Sequence, residues 1–472
     1  MTKSCIAVDI GASSGRLIAG TLEEGKLKLN EIYRFENKIV KKGENFCWEA
    51  DRLFEEIKTG IHKCREMGIQ PESIGIDTWA VDFLLLDEED KPLTEAVSYR
   101  DPRTDGMMEE VFDLISKERL YLETGIQFQK FNTIYQLYSL KKNQPELLKK
   151  AKSFLMIPDY FNYLLTGQKA NEYTNATSTQ LVNAFTKKWD KELLDILGIN
   201  KEMFHEIKTP KTVLGTLSEE LVSEFGFDMK VILPATHDTG SAVISVPEQD
   251  KTIYISSGTW SLIGVENRFP ICITKALDYN FTNEGGIDYQ YRFLKNIMGL
   301  WMIQEVKRNY NDAYSFSKLV ELAREATGFN AIVNVNDDRF LKPENMIREI
   351  ENYCVETGQP VPATPGEVAK CVFDSLASSY KEAVDQIEEI FEQNFDRINV
   401  IGGGCQNEML NQLIANVTNK EVFAGPVEAT AIGNIAAQFL ALGDIEDIRE
   451  ARNMIKNSFE VKRYFPEQQL VK

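Results

Sequence analysis

Residues 5–16 read Cys-Ile-Ala-Val-Asp-Ile-Gly-Ala-Ser-Ser-Gly-Arg, which is an apolar strand, a turn of glycine and serine, and the start of a second strand. Residues 255–261 repeat this layout as Ile-Ser-Ser-Gly-Thr-Trp-Ser. Glycine lets a ligand approach the backbone closely, and turns of this kind present successive N–H groups to an anion. Either turn alone is typical of an ordinary hairpin. The repeated layout, with Asp9 directly before the first turn, favours two turns that bind phosphate groups.

The pattern of apolar residues predicts an α/β fold in which strands alternate with helices. Strands are predicted at residues 5–10, 16–21 and 27–35. A short buried strand at 231–235 is predicted to run into a helix that begins at Asp238. The apolar spacing after Pro365 and Gly366 predicts a long amphipathic helix.

The length of the chain predicts two domains. Its 472 residues exceed what one hydrophobic core usually organises. The repeated strand–turn–strand layout begins after a polar stretch at 246–251, which is a plausible junction. We therefore expect an N-terminal domain of residues 1–247 and a C-terminal domain of residues 248–472.

Charge and cysteine usage limit the partners and the compartment. A formal net charge of −19 would repel nucleic acid and anionic membranes, so neither is expected as a partner. The sequence shows no secretory signal and no run of about 18 apolar residues. Its 7 cysteines form no CxxC pair, which fits reduced thiols in the cytoplasm, although a pairing of Cys354 with Cys371 is conceivable.

Competing phosphate-binding motifs do not fit. Residues 20–26 match most of the G-x-x-x-x-G-K-[ST] pattern, but Leu27 stands where the pattern requires serine or threonine, and a strand follows instead of a helix. The glycine cluster at 402–404 lacks the remaining glycine of a dinucleotide-binding fingerprint. The glycine cluster could instead admit the adenosine end of a nucleotide.

The sequence resembles the FGGY-type carbohydrate kinases of the actin-like ATPase superfamily over nearly its whole length. The segments that carry the resemblance are Asp9–Arg16, Gly75–Phe83, Tyr99–Thr104, Asn171–Thr177, His237–Ala242, Ser256–Leu262, Asn283–Gly286, Asn296–Trp301 and Gly402–Asn407. The resemblance implies two RNase H-like domains with a catalytic cleft between them. It implies ATP-dependent phosphorylation of L-rhamnulose at the 1-hydroxyl, with Mg²⁺ as the cofactor.

The resemblance also implies roles for individual residues. The nucleotide would be bound by Ala12, Ser13, Ser14, Gly15, Arg16, Thr259, Gln304 and Gly403, with Asp9 holding Mg²⁺ through water. The sugar side would be formed by Ala80, His237, Thr239 and Asn296, and Asp238 would accept the proton of the attacking hydroxyl. The chain departs from the family pattern at Ala80, where glycine is expected. The extra methyl group leaves the shape of the sugar pocket open.

The sequence leaves two alternatives to Asp238 as the general base. An aspartate between a short apolar strand and a helix commonly caps the helix, and without the resemblance the cap would be favoured. His237 could serve as the base by its ordinary pKa range, although the resemblance makes it a sugar ligand. Asp238 could both cap the helix and act as the base only if one carboxylate oxygen remains free toward the sugar.

Two functional alternatives remain open from the sequence. The sugar could be another ketose or polyol, such as L-fuculose, L-ribulose or D-xylulose. The chain could also be an actin-like protein that uses ATP to switch conformation, which would need the phosphate turns but not Asp238 beside His237. A monomer or a small homo-oligomer is expected in either case.

Overall fold

A computed structural model describes residues 3–247 and 251–467 of the chain. The predicted α/β fold is confirmed, because strands and helices alternate along the described residues. The strands are β1 (Ser4–Ile10), β2 (Ser14–Glu23), β3 (Lys26–Glu36), β4 (Val40–Lys42), β5 (Asn45–Trp48), β6 (Ser73–Thr78), β7 (Phe83–Leu86), β8 (Ala96–Val97), β9 (Ser153–Met156), β10 (Asn171–Glu172), β11 (Ile207–Lys208), β12 (Thr212–Thr216), β13 (Lys230–Leu233), β14 (Thr252–Ser257), β15 (Trp260–Asn267), β16 (Thr282–Gly285), β17 (Tyr291–Met298), β18 (Arg397–Ile401), β19 (Glu421–Ala424) and β20 (Lys462–Tyr464).

Helices of varied length connect these strands. They are α1 (Ala50–Glu66), α2 (Met107–Phe112), α3 (Lys117–Thr124), α4 (Thr133–Asn143), α5 (Pro145–Lys150), α6 (Ile157–Thr166), α7 (Tyr173–Ser178), α8 (Lys191–Leu197), α9 (Glu219–Phe225), α10 (Asp238–Ile244), α11 (Thr274–Asp278), α12 (Trp301–Asn309), α13 (Phe316–Glu325), α14 (Met346–Glu356), α15 (Pro365–Phe391), α16 (Glu408–Thr418), α17 (Ala429–Leu442) and α18 (Ile448–Ser458). Within the two described ranges, no helix combines the length and the apolar character that a membrane span requires.

The chain folds into two compact units, each assembled from separate stretches of sequence. The first unit consists of Met1–Ser245, Glu266–Phe293 and Thr430–Ser458, and the second consists of Val246–Val265, Leu294–Ala429 and Phe459–Lys472. The expected junction at 246–251 includes residues 248–250, which lie outside the described residues. The division into domains at residues 247 and 248 stays a prediction.

The central sheet of the first unit has the strand order β12-β13-β6-β1-β2-β3. β1 pairs antiparallel with β2 and parallel with β6, and β6 pairs parallel with β13. Six of the seven residues of β1 are buried, as expected for a central strand covered on both faces. Helix α1 packs against this core through apolar residues spaced three or four apart, which are Leu53, Ile57, Ile61 and Cys64.

The second unit repeats the same pairing pattern. β14 pairs antiparallel with β15 and parallel with β18, and β18 pairs parallel with β19. The long helix predicted after Pro365 is confirmed as α15. It begins with a capping box, in which the Thr364 side chain accepts the Glu367 N–H and the Glu367 carboxylate accepts the Thr364 N–H. The Tyr380 hydroxyl of α15 lies 2.6 Å from the Ser261 hydroxyl of β15 and ties this helix to the sheet.

All seven cysteines are buried and free. Cys354 and Cys371 form no disulfide in the structure. Burial raises the pKa of the Cys371 thiol to about 12, so the protonated form is favoured there. Reduced thiols are what the sequence predicted.

Candidate active site

The sheet of the first unit brings three aspartates to one edge. Asp9 and Asp77 are register partners near the carboxyl ends of the parallel strands β1 and β6. β13 ends on the other side of β6, and a parallel bridge between Thr78 and His237 carries the chain along that edge to Asp238. Carboxyl ends of parallel strands are the usual place for a site in α/β proteins. Asp9, Asp77 and Asp238 therefore lie at the same edge.

The turn between β1 and β2 holds residues predicted to bind phosphate. It is closed by a hydrogen bond from the Gly11 N–H to the Ser14 carbonyl at 2.9 Å. Asn37, which the sequence analysis did not single out, ties the turn to β3. Its amide donates to the Gly11 carbonyl at 2.8 Å, and its own N–H donates to the Ser13 carbonyl at 3.1 Å. The Ser13 side of the turn is exposed, as a phosphate ligand would require.

Position 15 of the same turn has no room for a side chain. A Cβ atom at this position would collide with the ring of Phe35 on the neighbouring strand β3. Ala12 lies half-buried against the core of the first unit. The conformation of the turn is therefore set by packing beneath it, while its upper side stays accessible.

Asp9 and Arg16 form an ion pair across the β1–β2 register. Arg16 Nε and Nη2 lie 3.1 Å and 3.0 Å from Asp9 Oδ2. The Asp9 side chain retains 12% of its accessible surface. A ligand carrying both Mg²⁺ and phosphate would offer each member of this pair a new partner of opposite charge.

Asp77 is fully buried, and the sequence left open whether it lines a pocket or ends a strand. Its Oδ2 accepts the Asn434 amide of α17 at 2.6 Å, whereas its Oδ1 has no hydrogen-bond partner. Burial and the neighbouring Asp9 charge raise the pKa of Asp77 well above its ordinary value. A buried, unpartnered carboxylate oxygen at this edge makes Asp77 a candidate site residue.

Asp238 is the first residue of α10, and the residue at the N-cap position is His237. Asp238 Oδ1 accepts the Thr239 N–H at 2.5 Å and the Thr239 hydroxyl at 3.1 Å. Both of these bonds go to Oδ1, and the side chain is 31% exposed, so Oδ2 is left for another partner. Burial raises the pKa of Asp238 from its ordinary value, the His237 charge opposes this, and the Asp9 charge adds to it. A carboxylate with a raised pKa and one available oxygen suits a general base.

His237 lies between Asp238 and a buried ion pair that sequence reasoning missed. Its Nε2 lies 3.6 Å from Asp238 Oδ1, and its Nδ1 lies 3.2 Å from Glu284 Oε2. Arg292, which is fully buried, places Nη2 3.0 Å from Glu284 Oε2 and 3.1 Å from His237 Nδ1. Glu284 belongs to the segment Asn283–Gly286 that carried the resemblance, but no motif indicated Arg292.

Ala80 lies in a segment held by a buried carboxylate, Asp82. The Ala80 carbonyl accepts the Asp82 N–H at 2.9 Å. Asp82 accepts four N–H groups, from the indole rings of Trp48 and Trp79, the backbone of Tyr99 and the amide of Gln136, at 2.6, 2.9, 3.1 and 3.1 Å. Burial raises the pKa of Asp82 to about 6, although these bonds counteract the rise. Trp79 therefore packs in the core and orders the Ala80 segment.

The remaining predicted residues belong to the second unit. Its turn after β14 is closed by the Gly258 N–H, which donates to the Trp260 carbonyl at 2.9 Å. The Thr259 carbonyl accepts the Trp301 N–H at 3.1 Å, which connects this turn to the start of α12. Gln304 lies one turn further along that helix and is half-buried. Asn296 lies on β17, the strand before α12.

Gly403 follows β18 in a cluster of small residues. A Cβ at the neighbouring Gly404 would collide with the Ser257 hydroxyl, so this glycine lets the two turns of the second unit touch. A Cβ at Gly403 would meet nothing within 4 Å, so Gly403 borders open space. After the central parallel strands, the second unit therefore has glycines with an exposed backbone, whereas the first unit has carboxylates at the ends of the corresponding strands.

The carboxylate edge fits a magnesium ion that arrives with phosphate. In the part of the chain that the structure describes, no group of three or more His, Cys, Asp or Glu side chains could hold a metal ion by itself. Mg²⁺ bound to a nucleotide needs only one or two carboxylates, because phosphate and water oxygens complete its shell. Asp9, beside the unpartnered Asp77 Oδ1, supplies such a set.

Solved structures of several sugar kinases share this fold. A gluconate kinase from Lactobacillus acidophilus superposes with a TM-score of 0.82 at 19% identity, covering 99% of this chain and 94% of that one. A xylulose kinase from the same organism gives a TM-score of 0.80, also at 19% identity, and covers 98% and 94%. At this level of identity the likeness shows the fold alone.

Curated relatives match over nearly the full length. A protein named Rhamnulokinase from Halalkalibacterium halodurans is 70% identical over 97% of this chain and 98% of its own length. Proteins of the same name from Oceanobacillus iheyensis and Bacillus subtilis are 65% and 46% identical, each over 98% of this chain and over 98% and 95% of their own lengths.

Two family models cover most of the sequence. The N-terminal domain model of the FGGY family of carbohydrate kinases matches residues 4–245, and the C-terminal domain model matches residues 253–442. The resemblance inferred from the motifs is therefore confirmed. The chain belongs to the FGGY family of carbohydrate kinases.

Proposed function

We propose that this protein is an L-rhamnulose kinase. It transfers the γ-phosphoryl group of ATP to the 1-hydroxyl of L-rhamnulose, giving L-rhamnulose 1-phosphate and ADP in the breakdown of L-rhamnose. The observation that carries the proposal is the 70% identity to a protein named Rhamnulokinase, which extends over 97% of this chain. The carboxylate edge supports the same reaction type, because it offers a base and a metal-binding carboxylate near each other.

Asp238 is the general base in this proposal. As the sugar oxygen bonds to phosphorus, its proton passes to the available Oδ2 of Asp238. Positioned bases of this kind contribute about 10²- to 10⁴-fold to a rate. The raised pKa supports the role, because it brings proton affinity closer to what a neutral-pH base needs. His237 and Thr239 flank the base and bind the sugar together with Ala80 and Asn296.

Phosphoryl transfer needs alignment and charge neutralisation more than covalent help from the protein. The turn Ala12–Arg16 binds the phosphates through its exposed N–H groups and hydroxyls. Asp9 would hold Mg²⁺ through water, and the bound ion would supply positive charge at the phosphate oxygens. Arg16 leaves Asp9 for a phosphate when the nucleotide binds. Thr259, Gln304 and Gly403 bind the nucleotide as well.

The decisive experiment compares sugars in a coupled assay of ADP formation. We expect the largest kcat/KM with L-rhamnulose and smaller values with L-fuculose, L-ribulose and D-xylulose. A larger value for one of the other sugars would move the assignment to that sugar and leave the reaction type intact. ATP turnover that does not depend on any added sugar would contradict the proposal and favour an ATP-driven conformational switch.

We also propose a compartment, an oligomeric state and a set of excluded partners for the enzyme. We infer that it acts in the cytoplasm, as a monomer or a small homo-oligomer, and without nucleic acid or membrane partners. Support comes from the net charge of −19 and from seven free thiols. Size-exclusion chromatography with light scattering would measure the oligomeric state directly.

A further inference from the structure

A buried ion pair lies directly behind the proposed sugar-binding histidine. Arg292 is anchored by its Nε, which donates to the Gly285 carbonyl at 2.8 Å, and its Nη2 lies 3.0 Å from Glu284 Oε2. The same carboxylate oxygen lies 3.2 Å from His237 Nδ1. The other ring nitrogen, Nε2, points toward Asp238 at 3.6 Å. The contacts run in series from a fixed backbone carbonyl to the proposed base.

We propose that Glu284 and Arg292 are positioning residues for phosphoryl transfer. Glu284 fixes Arg292, and Arg292 donates to Nδ1 of His237, so that Nε2 of the ring carries its hydrogen and faces the sugar hydroxyl beside Asp238. The inference rests on the proposed function, since it assumes that His237 binds the sugar. It adds two residues that no sequence motif assigned to the reaction.

Burial and charge support this arrangement. Glu284 and Arg292 retain only 7% and 1% of their side-chain surface, so each needs a partner of opposite charge. Burial alone would raise the pKa of Glu284, but the charges of Arg292 and His237 lower it below its ordinary value. Glu284 is therefore ionised and holds the Arg292 guanidinium in place. A histidine whose Nδ1 accepts a hydrogen bond from a fixed guanidinium has a fixed orientation and tautomer.

Several other charged or titratable groups face Asp238 and His237 and belong in any reading of their protonation. They are Asp9 on β1, Asp77 on β6, Tyr99 after β8, Glu284 on β16 and Arg292 on β17. The experiments therefore measure the kinetic coupling between Glu284 and His237 and the tautomer of His237, and not the titration of a single group.

A purely structural role is the competing explanation, and the same unit contains a matched control. Arg452 is also buried, places Nη2 2.6 Å from Glu266 Oε2, and donates to the carbonyls of Val243 and Ile244. This second pair has the same chemistry and the same backbone anchoring, but it contacts no histidine. Glu266→Gln therefore measures what loss of a buried ion pair does by itself.

The kinetic test is a double-mutant cycle on kcat/KM for L-rhamnulose. We expect Glu284→Gln to lower kcat/KM about 10- to 100-fold through a higher KM for the sugar, as for other groups that orient a histidine. The KM for ATP should stay within about twofold. In a His237→Gln background the same substitution should cost less than about threefold, because residues that act through one another are not additive.

Two controls separate positioning from folding. Glu266→Gln should leave kcat/KM within about threefold, even if it lowers the melting temperature as much as Glu284→Gln does. If Glu284→Gln fails to fold, the pair Glu284→Gln with Arg292→Met removes both charges without leaving one of them buried alone. Equal losses from Glu284→Gln with and without His237, or a loss matched by Glu266→Gln, would overturn the proposal.

A second measurement does not depend on any substrate. The chain contains only three histidines, so ¹⁵N-histidine labelling gives three imidazole signals, and His237→Gln identifies the one of interest. We expect His237 to carry its hydrogen on Nε2 in the native protein, because Nδ1 accepts from Arg292, and to change its tautomer in Glu284→Gln. A hydrogen on Nδ1 in the native protein would overturn the proposal. Absence of sugar-dependent turnover with a bare Nδ1 would instead reject the proposed function alone.

Discussion

The turn after β1 and the turn after β14 share one backbone plan and differ in the chemistry placed around it. In each unit a central strand pairs antiparallel with the next strand and parallel with a later one. The first unit puts Asp9 and Asp77 on its two parallel strands, and Asp238 follows the third. The second unit puts Ser256 on β14, and glycines follow β18.

The two sheets share a topology, and each therefore has an edge where a site can form. The side chains at that edge determine which chemistry the edge supports. Carboxylates suit a metal ion and a proton acceptor, whereas bare backbone suits the close approach of a flat or anionic group. The comparison therefore predicts that substitutions in the first unit act on chemistry and protonation. Substitutions in the second unit should act on packing and nucleotide binding.

Asp238→Asn should give the largest effect. Asparagine keeps the size of the side chain but cannot accept the sugar proton, so we expect kcat to fall about 10²- to 10⁴-fold with nucleotide affinity retained. Asp228→Asn is the control, because Asp228 is an exposed aspartate of the same unit that accepts the N–H groups of Leu217 and Met229. Near-normal turnover by Asp238→Asn would remove it as the base.

Asp82→Asn tests how burial changes the pKa of a carboxylate in the first unit, by way of the pH dependence of the free energy of unfolding. The folded-state pKa of about 6 exceeds the ordinary value of about 3.9, so the native state binds the proton more tightly. Asp82 therefore contributes stability that is complete below about pH 4 and is lost as pH rises through about 6, a change of about 3 kcal/mol.

The measurement for Asp82 is urea unfolding of both proteins between pH 4 and pH 7.5. The native protein should lose stability relative to Asp82→Asn as pH rises, because asparagine does not titrate. The other buried carboxylates with raised pKa values, such as Asp77, are common to both proteins and cancel in the difference. Parallel curves for the two proteins would show that Asp82 does not titrate in this range.

Asp9→Asn tests the metal site. A carboxylate that holds Mg²⁺ through water contributes to metal affinity as an outer ligand does, so we expect the magnesium concentration for half-maximal rate to rise about 10-fold or more. Titration of the rate with MgCl₂ at fixed ATP measures this. An unchanged magnesium requirement would place the ion elsewhere and weaken the contrast between the two edges.

Gly404→Ala tests the second unit, where packing should dominate. The added methyl group would collide with the Ser257 hydroxyl, so we expect a loss of about 1–3 kcal/mol in unfolding free energy and a higher KM for ATP. Gly328→Ala is the control, since a methyl group there would meet nothing within 4 Å. Equal stability of the two variants would show that the two turns of this unit can move apart easily.

Much of the fold could be predicted because its signals are local. Strand β1 and helix α15 follow from apolar runs and spacing over a few residues, and the structure confirms both. Asp238 was recognised as a site residue only through its motif. Its competing interpretation as a helix cap depended on where α10 begins, and the structure begins the helix at Asp238 itself.

Contacts between distant parts of the chain could not be predicted. Asp77 pairs with Asn434, which lies 357 residues away, and no local pattern connects them. Arg292 reaches His237 because the stretch Glu266–Phe293 belongs to the first unit, although Val246–Val265 of the second unit precede it in the chain. Asn37 was missed for the same reason, because its role depends on the register of β2 and β3.

Val81, next to Ala80, has a φ of 67°, a conformation that β-branched residues strongly disfavour. Its carbonyl accepts the Thr133 hydroxyl at 2.7 Å and the Gln136 amide at 3.2 Å. The shape of this segment is thus imposed from outside, by α4, against its own conformational preference. Under the proposed function, substitution of Thr133 or Gln136 on α4 would therefore change the shape of the sugar pocket by releasing the Val81 conformation beside Ala80.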